Sequence, residues 1–108
     1  MSAVRISVVV PNYNHQKHLP RCLEALLNQE DPPDEILAID DASTDDSLEV
    51  MKTFAARSPR LRVIRNERNL GVVATMNRGL EMAAHPHIGF FASDDEVLPG
   101  LFTKSRPM

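Results

Sequence analysis

The chain has no tryptophan, one tyrosine and one cysteine among 108 residues. A single thiol cannot form an intrachain disulfide, so a disulfide-stapled scaffold is excluded and a reducing, cytoplasmic setting is expected. Cys22 falls in an apolar helical stripe, where a core thiol is expected rather than a nucleophile. Only four glycines are present, and no Gly-x-Gly-x-x-Gly or Gly-Lys-Ser element occurs. Dinucleotide and P-loop cradles therefore lack their residues. No apolar run approaches the roughly 20 residues of a membrane helix. The opening run ends at Pro11-Asn12, and no secretory signal is visible. Membrane association through a longer parent protein stays open. A basic face is also lacking: the net charge is −3. Arg57, Arg60, Arg62, Arg65 and Arg68 form a modest cluster, which reads as a solvated rim rather than a polyanion or nucleic-acid site. His15, His18, His85 and His87 have no metal-ligand spacing. His15 is the one with a place near the site proposed below.

What is present reads as one domain over residues 1–108, with 43% hydrophobic and 25% charged residues. Ile6 to Val10 is a short β-branched run, a strand buried on both faces, with Pro11 and Asn12 as its stop. His18 to Gln29 carries Leu19, Cys22, Leu23, Leu26 and Leu27 at helical spacing, and Pro20 suits a first turn. Glu35 to Ile39 is a second strand. Ser43 to Asp46 has the Ser-x-x-acid form of a helix start, and Leu48, Met51, Phe54 and Ala55 supply the buried stripe that follows. Leu61 to Ile64 reads as a third strand. Val72 to Ala84 reads as a third helix with Met76, Leu80 and Ala83 inward. His87 to Ala92 reads as a fourth strand. This alternation predicts an α/β fold: a doubly wound, Rossmann-like, mostly parallel sheet of about four strands and three helices. Ligands of such sheets bind beyond the carboxyl ends of the strands. Three polar clusters fall there: Pro11 to Asn14, Asp40 to Ser43, and Ser93 to Asp95.

The acidic pairs carry the chemistry. Asp94 and Asp95 repel each other, and magnesium or manganese would relieve that repulsion while binding substrate phosphates. Either aspartate can equally cap a helix near Val97-Leu98. Asp41 can accept the imide N–H of uracil or thymine, whereas cytosine would present a lone pair; Asp40 and Asp41 can also simply set up the next helix. Tyr13 can stack on a base, and Asn12 and Asn14 can satisfy turn backbone. Gly71 suits a turn. Gly79 could let its helix approach the sheet closely.

Taken in order, these clusters resemble glycosyltransferase family 2. The resemblance rests on Ile6 to Asn14, Leu19 to Gln29, Ile39 to Asp45, Asn69-Leu70-Gly71 with Asn77-Arg78-Gly79, and Phe91 to Asp95. It implies a GT-A fold, a nucleoside diphosphate sugar donor (UDP or dTDP), a divalent metal and inverting transfer. It places Pro11 and Tyr13 in the base pocket, Asp41 on the base, Asp94 at ribose and diphosphate, and Asp95 on the metal. Ala92 and Met76 depart from the family pattern, which often has aspartate and arginine there. The family extends beyond Asp95 and draws its catalytic base and acceptor contacts from that later part. The expectation is therefore a nucleotide-sugar-binding half without an assignable base, and a non-catalytic binding or assembly module remains the alternative. A receiver-type signalling domain is disfavoured, because no acidic pair follows the first strand and no aspartate follows Ile64. His87 to Ala92, with Ile88, Phe90 and Phe91, is expected to form an apolar sheet edge that recruits a second copy.

Overall fold

A computed structural model describes residues 5–29 and 32–91. The elements run β1 (Ile6–Asn12), α1 (Leu19–Leu27), β2 (Glu35–Asp40), α2 (Ser47–Arg57), β3 (Leu61–Arg65), α3 (Val72–Met82) and β4 (His87–Phe90). The four strands form one parallel sheet in the order β3-β2-β1-β4, which is the predicted doubly wound α/β architecture. The chain steps outward from β1 to β3 and then crosses to the other side of β1. The topological switch therefore lies between β1 and β4, where open α/β sheets form ligand crevices.

Period-two alternation sorts the strand residues onto two faces. Val8, Val10, Ile36 and Ala38 pack against Leu19, Cys22, Leu23 and Leu26 of α1 and Met51 and Phe54 of α2. Val9, Leu37, Ile39 and Ile64 pack on the opposite face with Met82, Ala83 and Ile88. Both central strands are buried throughout, which explains why their sequences read as continuous apolar runs. Cys22 is a buried, free thiol in the first of these cores.

β1 does not stop at Pro11; it runs through Asn12, with Pro11 opposite Ile39 of β2. The Val9 carbonyl accepts from Phe91 on the β4 side, and the Asn12 carbonyl accepts from Asp41 on the β2 side. Pro11 has the same strand parity as Val9. Its ring nitrogen therefore faces the β4 side, beyond the last β1–β4 register pair at Val9, and its missing N–H costs no ladder bond. α2 also begins later than expected. Ser43 is not its cap: its hydroxyl and N–H turn back to Asp40, and α2 starts at Ser47, which bonds Asp45.

The inward face of α3 is a clearer correction. Thr75 and Gly79 are its buried residues, while Leu80 is 51% exposed. A Cβ on Gly79 would lie 2.4 and 2.8 Å from the two γ-methyls of Val9. The helix thus sits too close to the sheet for a large inward stripe, as the close-approach reading of Gly79 anticipated. At the opposite end of the sheet, Glu35 bridges three elements. It accepts from the Ser7 hydroxyl, the Arg62 guanidinium and the Ala84 N–H.

Among the described residues no helix is long and apolar enough to cross a membrane.

Candidate functional site

The carboxyl ends of β1 and β2 lead into two loops that are stitched to each other. Asn14 Oδ1 accepts from the Thr44 N–H at 2.8 Å, and the Ser43 hydroxyl accepts from the Asn14 N–H at 3.0 Å. Gln16 N–H donates to Asp45, and Asp46 N–H donates to the Gln16 side chain. Asn12 Nδ2 donates to Asp40 and Ser43. The turn-satisfying roles expected for Asn12 and Asn14 are thus fulfilled across two loops rather than within one. The Asp40 carboxylate requires an N–H from Asn12, which turns the Asn12 Oδ1 away. That oxygen is buried without a hydrogen-bond partner.

Two non-glycine residues of these loops hold left-handed backbone: Asn14 at φ 56° and Ala42 at φ 58°. Asparagine tolerates this region and alanine does not, because its Cβ crowds the carbonyl. Ala42→Gly should therefore raise unfolding stability by roughly 0.5–1 kcal/mol, the strain relief outweighing the added unfolded-state freedom. A chemical melt of the variant checks this, and a lower stability would contradict it.

Asp41 is 4% exposed and anchors a third loop. Its Oδ1 accepts from the Leu70 N–H at 2.8 Å and from Asn66 Nδ2 at 2.9 Å, and its Oδ2 accepts from the Gly71 N–H at 2.9 Å. Asn69 Nδ2 reaches the Asp41 carbonyl at 3.4 Å. Asn66, itself fully buried, also donates to the Thr75 hydroxyl and accepts from Arg78. Arg78 therefore reaches back from α3 to the end of β3, where it also bonds the Arg65 carbonyl. Gly71, at φ 93°, supplies the backbone turn that presents these amides to Asp41.

Burial by itself would raise the Asp41 pKa, but donation from Leu70, Asn66, Gly71 and the Thr75 hydroxyl outweighs it and holds the carboxyl below its ordinary value. Asp45 is likewise lowered: Ser47 and the Gln16 N–H overcome burial. Glu35 is lowered too, with Ala84, Arg62 and Ser7 overcoming burial. A carboxyl whose folded pKa lies below its unfolded value contributes fully above the unfolded value, near pH 4. That contribution is lost as pH falls through the folded pKa. The melting temperature should hold level near neutrality and drop below about pH 4. A curve still flat at about pH 3 would contradict the linkage.

Pro11, Asn12, Tyr13, His15, Asp41, Val72 and Thr75 line a cavity of about 130 Å³ at this end of the sheet. Three of the residues singled out from sequence, Pro11, Tyr13 and Asp41, are thus brought together from two strand ends. Tyr13 is 44% exposed, so its ring is open to a ligand. The cavity is smaller than the roughly 300–1,000 Å³ of sites that enclose a whole small molecule, and it suits one part of a larger ligand. Val72 and Thr75 were not anticipated. The available signal was the i, i+4 pairing of Thr75 with Gly79, two small residues on one helix face. Asp94 and Asp95 lie outside the described residues.

Residues 7–105 match the family model described as Glycosyl transferase family 2. The chain is 36% identical over 101 residues to the uncharacterized glycosyltransferase YibD of Escherichia coli (strain K12), covering 94% of this chain and 29% of that protein. It is 40% identical over 92 residues to the glycosyltransferase GlyG of Streptococcus pneumoniae serotype 4, covering 85% of this chain and 31% of that protein. Among solved structures it is similar to residues 1–349 of S. aureus TarS in complex with UDP-GlcNAc, with a TM-score of 0.85 and 28% identity over 94% of this chain and 30% of that one. The mannosyltransferase PcManGT from Pyrobaculum calidifontis, in complex with GDP-Man and Mn2+, shares the fold at a TM-score of 0.79 and 24% identity, over 87% of this chain and 28% of that one. The chain thus spans about a third or less of the length of the curated relatives it matches.

Proposed function

This chain belongs to glycosyl transferase family 2, and on that premise we propose that it binds a nucleoside diphosphate sugar for inverting glycosyl transfer, with UDP or dTDP as the nucleotide. The observation that carries this reading is the convergence of Pro11, Tyr13 and Asp41 on one cavity beyond the carboxyl ends of β1 and β2. Tyr13 stacks on the base beside Pro11. Asp41 already accepts from Leu70, Asn66, Gly71 and the Thr75 hydroxyl; of these the rotatable Thr75 hydroxyl, which lines the cavity with it, is the donor an entering imide N–H would displace. The backbone amides of Leu70 and Gly71 keep their own bonds to Asp41 throughout. A carboxylate favours the imide of uracil or thymine over the lone pair of cytosine. The similarity to a TarS structure holding UDP-GlcNAc supports a uridine donor.

Asp94, at ribose and diphosphate, and Asp95, on a divalent cation, complete the reading. Two adjacent carboxylates are the hard oxygen donors that manganese or magnesium takes, and the cation would stabilise the departing diphosphate. The Mn2+ in the PcManGT complex is in keeping with this chemistry. Cytoplasmic work suits a domain whose one cysteine is a buried, reduced thiol.

Calorimetric titration with UDP, dTDP and CDP, with manganese and after chelation, tests both parts. UDP or dTDP should bind, CDP should bind at least about tenfold more weakly, and chelation should abolish binding. A saturating nucleotide at 100 times its dissociation constant should add about 2.7 kcal/mol of stability. Asp95→Asn should weaken the metal-dependent part without lowering apo stability, since it relieves repulsion with Asp94. Equal binding after chelation would remove the metal role, and tight CDP binding would remove the base assignment.

A further inference from the structure

The arginines grouped in sequence around β3 separate into two sets in the fold. Arg57 pairs with Glu24 at 3.1 Å and lies over the Phe54 ring. Arg60 donates to the Pro33 carbonyl at 3.0 Å, and Arg62 bonds Glu35 at 2.8 Å. These three find partners within the fold. Arg65 and Arg68 do not: their exposed side chains have no hydrogen-bond or ion-pair partner among the described residues.

Arg65 and Arg68 instead line a cavity of about 510 Å³ together with Glu67, Leu70 and Arg78. Three guanidiniums and one carboxylate give this cavity a formal charge of +2 (3 − 1), in a chain whose net charge is −3. Glu67 forms no ion pair with any of the three among the described residues, so the positive charge is not neutralised by contact. Arg78 is held in place by its bonds to Asn66 and the Arg65 carbonyl, which employ one terminal nitrogen and leave the rest of the fork unassigned. The cavity also opens at the carboxyl end of β3, the end of the sheet that carries ligands in this architecture. It shares no lining residue with the base cavity.

We propose that Arg65, Arg68 and Arg78 form a phosphate-binding site separate from the base cavity. Guanidinium forks match phosphate oxygens in pairs, and a pre-ordered fork loses little freedom on binding. Three like charges around one cavity repel, and an oxyanion removes that repulsion as it binds. The ligand is a phosphate group, carried either by a soluble molecule or by a lipid headgroup at a membrane surface. The site stands whether or not the nucleotide reading does, because it uses different residues and needs no metal.

The test employs inorganic pyrophosphate titrated calorimetrically in chelator, so that no metal–diphosphate complex contributes. A parallel flotation assay uses phosphatidylcholine vesicles with and without phosphatidylglycerol. Binding of pyrophosphate identifies a soluble phosphate; binding of anionic vesicles alone identifies a headgroup. In either case the double substitution Arg65→Ala/Arg68→Ala should weaken binding at least about tenfold, and salt should weaken it in the parent. Both side chains are exposed and have no partner among the described residues, so the variant should melt with the parent. Glu67→Gln should strengthen binding about two- to threefold by removing the only carboxylate that lines the cavity among the described residues, a gain that damage to the fold cannot imitate. The proposal is overturned if neither probe binds, if the double variant binds like the parent, or if Glu67→Gln brings no gain.

Discussion

Replacing Asp41 with alanine should destabilise the domain by about 3–4 kcal/mol and abolish nucleotide binding at the same time. The substitution strands the Leu70 and Gly71 N–H groups and removes one acceptor from the buried Asn66 amide. Each unsatisfied buried donor costs about 1–3 kcal/mol, and partial access of water through the exposed Leu70 reduces that sum. Against a typical total of about 5–15 kcal/mol, such a loss is large. Asp41→Asn separates charge from shape. It keeps the volume but turns an N–H group toward donors, so it should still lose about 2 kcal/mol. Urea unfolding of the two variants measures both effects. A change below about 0.5 kcal/mol for Asp41→Ala would mean that the loop from Asn66 to Gly71 does not depend on this carboxylate. The structure thereby changes what an Asp41 variant reports: lost affinity includes the collapse of a turn as well as any lost contact to a base.

Gly79→Ala should also destabilise, by about 1–3 kcal/mol, although alanine is the better helix former by about 1 kcal/mol. The new methyl would meet both γ-methyls of Val9, at 2.4 and 2.8 Å, with Ile39 Cδ1 at 3.2 Å. Val9 is β-branched, fully buried and held in the ladder between β2 and β4, so it cannot swing aside. The remaining response is for α3 to lift from the sheet, which would carry Thr75 and Val72 away from the cavity they line. Thermal or urea melts of Gly79→Ala, Val9→Ala and the double variant form a cycle. The double variant should be more stable than the sum of the single losses predicts, by about 1 kcal/mol or more. A Gly79→Ala domain more stable than the parent would show that the gap between α3 and β1 is softer than the packing implies.

Much of this domain was legible one segment at a time. The strands stood out because burial on both faces demands continuous β-branched runs, as in Ile6 to Val10 and Glu35 to Ile39. α1 stood out because Leu19, Cys22, Leu23 and Leu26 repeat at helical spacing and face one core. The motifs after the strands gave Pro11, Tyr13 and Asp41 as candidates, because parallel α/β sheets put strand ends and their loops on one side. α3 was read from the right start but two residues too long, and of its expected inward residues Ala83 packs on the sheet while Leu80 is exposed. Periodicity sought large apolar side chains, and Leu80 answered that search, whereas contact with the sheet selected Thr75 and Gly79 for their small size.

What the sequence by itself determined is therefore the set of elements, the parallel alternation and the neighbourhood of the site, since each follows from local spacing and from general rules of strand and crossover geometry. What only the tertiary structure decided is which groups meet. Asp41 is tied to Leu70 and Gly71 across 29 and 30 positions, and Asn12 and Asn14 serve a loop about as far away. Arg57, Arg60 and Arg62 find partners while Arg65 and Arg68 converge on Arg78. Such pairings depend on strand order, register and the distance at which a helix can pack. Hydrogen bonds and charge contacts are decided within a few ångströms, a scale set by the packed sheet and invisible in residue spacing.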